Sequence, residues 1–401
     1  MLTVLSLMDD RSRPKGSRDP LGIEAIWSFA GRKVVGNLTT VTSNLDNFMV
    51  ALLCCHHANA SSGQLGNVQT DFLRAEQLAA YLRLSEGDEG LLGITRAKAN
   101  FNAGVLPLGQ SEAAQILSNQ LSYGLWGLYS TAMTVAGLID GADRRLTVQG
   151  SHLVCDMIAT LGEAQWQSFQ EIASGDLASV ERVKTLSPAF VGLLRDTALR
   201  TSVVKALLQW ETARPLQLEL YTCAIEYLSE SGASLSVSVF CHWLLEKPGT
   251  SDALRATIQQ IQSLEPLLVI AGTLMAWLQG QNGHKRADLL DKLQPRLDNL
   301  AFADDWRKLA GLPHRAFLTH LFNAAIDQDA EALINRVLEQ NKQVMQQRGG
   351  AAWLEWQGDV LRVRVANDRA SIPDNLDKHC HGRWWNSYFI GSFLQIAKQA
   401  V

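Results

Sequence analysis

The sequence has 401 residues, of which 47% are apolar and 19% are charged, the composition of a folded globular protein long enough for more than one domain. Its 36 basic and 40 acidic side chains give a net charge of −4. This excludes a generally basic protein that coats nucleic acid, and any such contact must come from a local patch. The composition also excludes the disordered, collagen-like and disulfide-scaffold classes.

The chain begins with the apolar run MLTVLSLM, which no basic residue precedes and which two aspartates end. It does not resemble a signal peptide. The six cysteines are distributed along a chain that is not short, so they are expected to be reduced thiols and not a disulfide framework. A cytoplasmic protein is therefore predicted. The uncharged stretch 113–139 contains many polar residues, and the run Pro266–Leu278 is shorter than the roughly 20 residues of a membrane span. Both are interpreted as core helix, and no membrane contact is expected.

The N-terminal third is predicted to be an arm followed by helices. Residues 9–22 are polar and rich in proline and glycine, which is typical of a loop. Helical spacing begins at Ile23, residues 34–41 favour an extended segment, and Asn44 is placed to cap a helix from Leu45. Residues 69–86 and 111–139 are both expected to be helical.

The segment after this second helix resembles the end of a winged-helix domain. A helix, a polar turn, the extended Arg145-Leu146-Thr147 and a further helix follow one another. In such a module Arg144 and Arg145 would lie on a wing near a phosphate backbone. A winged-helix-like unit that docks other proteins is the alternative.

Residues 151–325 are predicted to be amphipathic helices with short breaks, among them Ser187-Pro188 and Pro266. Ser251 and Asp329 are placed to cap helices, and Gly349-Gly350 to end one. From residue 353 the hydrophobic period becomes two, which predicts a β-hairpin followed by a terminal helix. The predicted fold is thus mainly α, multi-lobed, with a small C-terminal β-hairpin, in the segments 1–150, 151–345 and 346–401.

Few motifs in this sequence carry chemistry. Gly31 and Gly36 have the spacing of a phosphate-binding loop, but Asn37 and Leu38 replace the lysine and hydroxyl that this chemistry needs. The sequence contains none of the common dinucleotide, zinc-protease, serine-hydrolase or paired-cysteine motifs. A non-catalytic protein without a cofactor or metal is therefore favoured, although the question of enzyme activity stays open.

Two histidine–cysteine groups are candidate metal ligands. Cys54, Cys55, His56 and His57 are contiguous and would point to different faces of a helix. His379-Cys380-His381 would place two imidazoles on one side of an extended segment, which suits zinc only if other ligands join them. The favoured interpretation is a partly buried turn beside Trp384 and Trp385.

Acidic residues near both ends of the chain give the alternative of a metal-dependent nuclease. Asp9, Asp10 and Asp19 lie near the start, and Glu355 and Gln357 in the hairpin resemble the Glu-x-Lys of restriction-type nucleases. The glutamine lacks the charge of that lysine, which weakens this alternative.

A cluster of basic residues near the N-terminus indicates contact with DNA. Arg11, Arg13, Lys15 and Arg18 fall within eight residues, and Arg32 and Lys33 follow. Arginines bind phosphates with two parallel hydrogen bonds, so that such an arm could follow a DNA backbone. The alternative is that Asp9, Asp10 and Asp19 neutralise the arm.

Four segments, DRSRPKGSRDPLG, GRKVVGNLTTVT, NQLSYGLWGLYS and RGGAAWLEWQGDVLRVRV, resemble uncharacterised bacterial proteins of anti-phage defence islands. The resemblance covers about a third of the chain and implies a subunit that accompanies helicases, nucleases or modification enzymes. We therefore expect a non-catalytic scaffold of an antiviral defence complex that contacts DNA through its arm. The alternatives are the metal-dependent nuclease and a helical adaptor between proteins with no nucleic-acid role.

Overall fold

A computed structural model describes residues 16–61, 67–230, 232–367, 369–382 and 384–401. The chain is mainly helical, as predicted. The helices, in chain order, are α1 Ile23–Gly31, α2 Leu45–Ser61, α3 Val68–Ser85, α4 Ile94–Asn102, α5 Gln120–Tyr123, α6 Leu125–Leu128, α7 Ser130–Val135, α8 Val148–Leu161, α9 Glu163–Ala173, α10 Val180–Leu194, α11 Thr197–Leu208, α12 Pro215–Ser229, α13 Val237–Glu246, α14 Asp252–Leu278, α15 Arg286–Leu293, α16 Arg315–Ile326, α17 Ala330–Gln347, α18 Leu376–His381 and α19 Ile390–Ala397.

The strands form three antiparallel pairs. The strands, in chain order, are β1 Leu106–Pro107, β2 Ile139–Asp140, β3 Arg145–Leu146, β4 Leu177–Ala178, β5 Leu354–Gln357 and β6 Val360–Val363. β1 pairs with β4, β2 with β3, and β5 with β6. The last pair is the predicted C-terminal hairpin, and its two-residue turn contains Gly358 at φ +64°, a conformation that glycine adopts without steric cost.

The chain divides into two compact units, each built from segments that are distant in sequence. Of the described residues, the first unit comprises those within 16–33 and 236–388, and the second those within 34–235 and 389–401. These units differ from the three consecutive segments expected from the sequence, because the chain leaves the first unit after Lys33 and returns to it at Ser236. Composition along the chain carries no signal for such a return.

The long helix α14 is the core of the first unit, and α1, α13, α16, α17 and α18 pack around it. Among the described residues it is the one helix long and apolar enough to cross a membrane. However, 83% of an apolar 18-residue stretch of this helix is buried inside the protein. It is therefore a buried core helix of the first unit. Ser251 caps it, as predicted, by accepting a 3.1 Å hydrogen bond from the Leu254 amide.

The prediction that Pro266 ends this helix was wrong, because α14 continues through Pro266 to Leu278. Proline costs about 3 kcal/mol inside a helix. Burial of the apolar side chains on both sides of it, such as Leu264 and Leu267, which are fully buried, outweighs that cost. Helix α10 likewise continues through Pro188, where a break was predicted.

The second unit is built on the pair α2 and α3, against which α8, α9, α10 and α11 pack. Asn44 begins α2 as predicted, because its Oδ1 accepts a 2.9 Å hydrogen bond from the Asp46 amide. Residues 34–41, expected to be extended, form turns and irregular structure. Their polar groups are bound by side chains of the same unit, among them Gln217, whose Oε1 accepts from the Gly36 amide at 2.6 Å.

The expected single helix 111–139 was also wrong, since this segment forms the three short helices α5, α6 and α7. The chain is extended at Gly124, and the following amide, of Leu125, donates a 2.7 Å hydrogen bond to Oε1 of Glu76 on α3. A buried carboxyl from another helix thus caps α6. Gly127 then allows a tight turn, because a Cβ there would lie 2.1 Å from the Ser122 carbonyl oxygen.

Candidate functional site

The first unit contains a cleft between α1 and α14, called here the α1–α14 cleft, with a volume of about 360 Å³. This volume is within the range of small-molecule binding pockets, roughly 300–1,000 Å³. Its lining comprises Arg18, Asp19, Pro20, Leu21, Ile23, Glu24 and Trp27 from the N-terminal segment, Gly272, Met275, Ala276 and Gln279 from the end of α14, and Asn386.

The segment before α1 is held firmly at one edge of this cleft. Asp19 caps α1, because its carboxylate accepts hydrogen bonds from the amides of Ile23 at 2.7 Å and Glu24 at 3.0 Å. Two side chains of α17 donate hydrogen bonds to the backbone carbonyl oxygens of the two residues that follow Asp19. Gln340 donates to Leu21 at 2.7 Å, and Asn341 donates to Pro20 at 3.1 Å. The cleft edge is therefore part of the folded unit.

A buried carboxyl behind the cleft positions Asn386. Glu265 of α14 accepts hydrogen bonds from the backbone amides of Trp385 and Asn386, from Nδ2 of Asn386 at 3.0 Å and from the Tyr388 hydroxyl at 2.6 Å. Burial raises the pKa of Glu265, whereas these donors lower it, and the net shift is upward. Burial and the neighbouring Glu265 raise the pKa of Tyr388 as well.

Each oxygen of the Glu265 carboxyl accepts two of these four hydrogen bonds. Neither oxygen is therefore available to exchange a proton with a ligand. The effect of this carboxyl is to anchor residues 385–388 to α14. Asn386 lines the cleft, one N–H of its side-chain amide is used in this anchor, and its carbonyl oxygen accepts no hydrogen bond from the described residues.

The structure places the predicted basic residues at several positions. Arg11, Arg13 and Lys15 lie outside the described residues, and Arg18 is exposed at the α1–α14 cleft. Arg32 follows the last turn of α1 and is half-buried. The ammonium of Lys33 lies 4.4 Å from the centre of the Phe29 ring, a cation–π contact that holds it against α1.

The segment predicted to be a wing forms the hairpin β2–β3, in which Asp140 pairs with Arg145. Its two arginines differ in environment. Arg144, at φ +55°, lies 5.1 Å from the Trp126 ring centre and donates to the Gly141 carbonyl oxygen, so it stabilises the hairpin. Arg145 is exposed and pairs with Asp143 at 3.6 Å. The winged-helix assignment itself stays a prediction.

The candidate nuclease acids that the structure describes are bonded to other groups of the protein. Asp19 caps α1 and lies 3.7 Å from Arg348, while Glu355 accepts a 2.6 Å hydrogen bond from Arg364. Asp9 and Asp10 lie outside the described residues. Within the described part of the chain, no three His, Cys, Asp or Glu side chains are placed to hold a metal ion.

The histidine–cysteine groups do not gather into a site. His379, Cys380 and His381 lie on the helix α18, not in the extended segment or turn that was expected. His379 Nε2 lies 3.1 Å from the Thr273 hydroxyl and His381 Nε2 lies 2.7 Å from the Ala301 carbonyl oxygen, so the imidazoles bind different elements. Burial raises the pKa of Cys55 to about 12, which makes this thiol a poor nucleophile.

The phosphate-loop spacing of Gly31 and Gly36 has a packing explanation. A Cβ on Gly31 would lie 2.4 Å from the carbonyl oxygen of Tyr388, so only glycine allows this approach. Gly36 donates its amide to Gln217. Both glycines are thus accounted for by contacts within the protein.

Sequence reasoning missed Glu265 and Asn386. A signal for Glu265 was present, because it is the one acid in the apolar run SLEPLLVIAGTLMAWL, where an unpaired charge would be costly. No comparable signal marks Asn386, whose role depends on a contact across 121 residues.

No protein-family model matches this chain, and the comparisons with curated proteins and with solved structures gave no match.

Proposed function

We propose that this protein is a non-catalytic scaffold subunit of a bacterial anti-phage defence complex, located in the cytoplasm. The observation that carries the scaffold function is an exposed apolar surface on the second unit. Leu177 of β4 is 65% exposed and pairs with Pro107 of β1, while Val105 is 54% exposed and lies two residues from Pro107. Residues that pair across strands share a face of the ladder, and Val105 immediately precedes β1.

This surface, the Val105–Pro107–Leu177 face, supports contact with another protein. Apolar side chains that cluster on an otherwise polar surface mark interaction sites more often than isolated ones do. The resemblance to defence-island proteins supports helicases, nucleases or modification enzymes as the partner class. Arg18 and Arg145, both exposed, support DNA contact as a second property of the same scaffold.

Affinity capture of the tagged chain from its native host tests the scaffold function. We expect a stoichiometric protein partner to be captured with the wild-type chain and lost with the double variant Val105→Glu, Leu177→Glu. The matched control is Val239→Glu, which changes an exposed valine of the first unit, 48% accessible, and should retain the partner. Absence of any stoichiometric partner, or equal capture by the double variant, would contradict the proposal.

A further inference from the structure

The α1–α14 cleft presents hydrogen-bond acceptors from two side-chain amides. The nitrogen of Asn386 donates to Glu265, and the nitrogen of Gln279 donates to the Val365 carbonyl oxygen at 3.0 Å. Each bond uses one of the two N–H groups of its amide, whereas neither carbonyl oxygen accepts a hydrogen bond from the described residues, so that both oxygens can accept from a ligand. Both residues line the cleft.

The cleft also contains an exposed carboxylate. Glu24 is exposed on the first turn of α1 and forms no ion pair with the described residues. The other acid of the lining, Asp19, is directed to the α1 amides and to Arg348. Glu24 is therefore the negative charge that a ligand would meet.

The remaining walls are apolar, with Trp27 and Met275 among them. A ligand that fits must combine hydrogen-bond donors and positive charge with an apolar stem. The arginine side chain has this combination, since its planar guanidinium carries five N–H donors and stacks on aromatic residues. A phosphate or carboxylate would meet Glu24 and the two amide oxygens, with Arg18 as its sole basic contact in the lining.

We infer that the α1–α14 cleft binds a guanidinium group, and that its source is an arginine side chain of a partner protein. The choice of a protein as the source rests on the scaffold function proposed above. Glu24 pairs with the guanidinium, the oxygens of Asn386 and Gln279 accept from it, and the apolar walls contact its stem.

Direct titration of the purified full-length chain tests the cleft without any partner. Argininamide is the probe, citrullinamide is its uncharged analogue, and binding is measured by calorimetry at low salt. Wild-type protein should bind argininamide and should bind citrullinamide about tenfold more weakly. Equal binding of both amides, or binding of neither, would overturn the inference.

Two variants locate the binding. Glu24→Gln removes the charge and should weaken argininamide binding about tenfold. Ala276→Trp fills the cleft from the half-exposed Ala276 of α14 and should abolish binding. The control Asp288→Asn removes an exposed acid on α15 and should leave binding unchanged. Circular dichroism and a thermal melt establish that each variant is folded, and unchanged binding by a folded Glu24→Gln or Ala276→Trp would overturn the site.

Affinity capture with Glu24→Gln then tests the source of the guanidinium. Loss of the protein partner together with argininamide binding supports a partner arginine. Retention of the partner, when argininamide binding is lost, would overturn the protein source and leave the scaffold function standing. Failure of capture by wild-type protein would instead contradict the scaffold function, while the titration would still decide the cleft.

Discussion

The hydroxyl of Tyr388 donates a 2.6 Å hydrogen bond to Oε2 of Glu265, a residue 123 positions earlier in the chain. Both side chains are buried, and the same carboxyl holds the backbone amides of residues 385 and 386. One buried carboxyl thus fixes the loop that supplies Asn386 to the α1–α14 cleft.

We expect Glu265→Ala to destabilise the first unit by about 3 kcal/mol, because it leaves buried donors without an acceptor. Tyr388→Phe removes one donor and leaves the others paired, so its cost should be smaller, about 1–2 kcal/mol. Urea unfolding of both variants measures the difference. Similar free energies of unfolding for wild type and Glu265→Ala would show that the carboxyl does not anchor the loop.

Glu76 predicts a dependence of stability on pH. Burial raises its pKa to about 7, although the Leu125 amide and the Gln120 side chain lower it. Because the folded pKa exceeds the unfolded value, the folded state binds the proton more tightly. The stability from this site is complete below the unfolded pKa near 4.5 and is lost as the pH rises through 7, by about 3 kcal/mol in all.

Glu76→Gln should remove this dependence, because glutamine keeps an oxygen for the Leu125 amide and cannot ionise. Urea unfolding at pH 5 and pH 8 should show a smaller loss for Glu76→Gln than for wild type. The exposed Glu112→Gln is the control and should lose as much as wild type does. If Glu76→Gln lost the same free energy between the two pH values, the shift would belong to other groups.

Two glycine substitutions should have effects of opposite sign. Gly127→Ala places a Cβ 2.1 Å from the Ser122 carbonyl oxygen and should destabilise the second unit by roughly 3 kcal/mol, since the backbone must move. Gly192 lies in α10, with open space where its Cβ would be, so Gly192→Ala should stabilise by about 0.5–1 kcal/mol. Thermal melting checks both, and a destabilising Gly192→Ala or a neutral Gly127→Ala would contradict the geometry.

Local signals in the sequence were sufficient for many helix ends. Ser251 and Asp329 cap α14 and α17 as predicted, and Gly349 at φ +70° ends α17. These features act within four residues, so that the sequence shows the whole cause. The period-two pattern around Trp356 predicted the C-terminal hairpin for the same reason.

Features that depend on tertiary contacts could not be predicted in this way. The cap of α6 comes from Glu76, 49 residues earlier, and the persistence of α14 through Pro266 depends on burial on all sides. The α1–α14 cleft likewise joins residues from both ends of the chain, so composition and spacing gave no indication of it. Arg18 was found as a basic residue, but its position at the cleft was not.

The predicted DNA arm is tested by the salt dependence of binding. Each phosphate contact contributes about 0.9 to the slope of log K against log salt for duplex DNA. Replacing Arg11, Arg13, Lys15 and Arg18 together with Ala should therefore flatten the slope by up to about 4, measured by fluorescence anisotropy of a labelled duplex. An unchanged slope would exclude the arm.

The two hairpin arginines should separate DNA contact from folding. Arg145 is exposed, so Arg145→Ala should reduce the salt slope by about 1 and leave the melting temperature unchanged. Arg144 contacts the Trp126 ring and the Gly141 carbonyl oxygen, so Arg144→Ala should lower the free energy of unfolding by about 1–2 kcal/mol. Anisotropy and urea unfolding on the same preparations compare the two. If Arg145→Ala left the slope unchanged, the hairpin would not bind phosphate, and its role would be limited to the fold of the second unit.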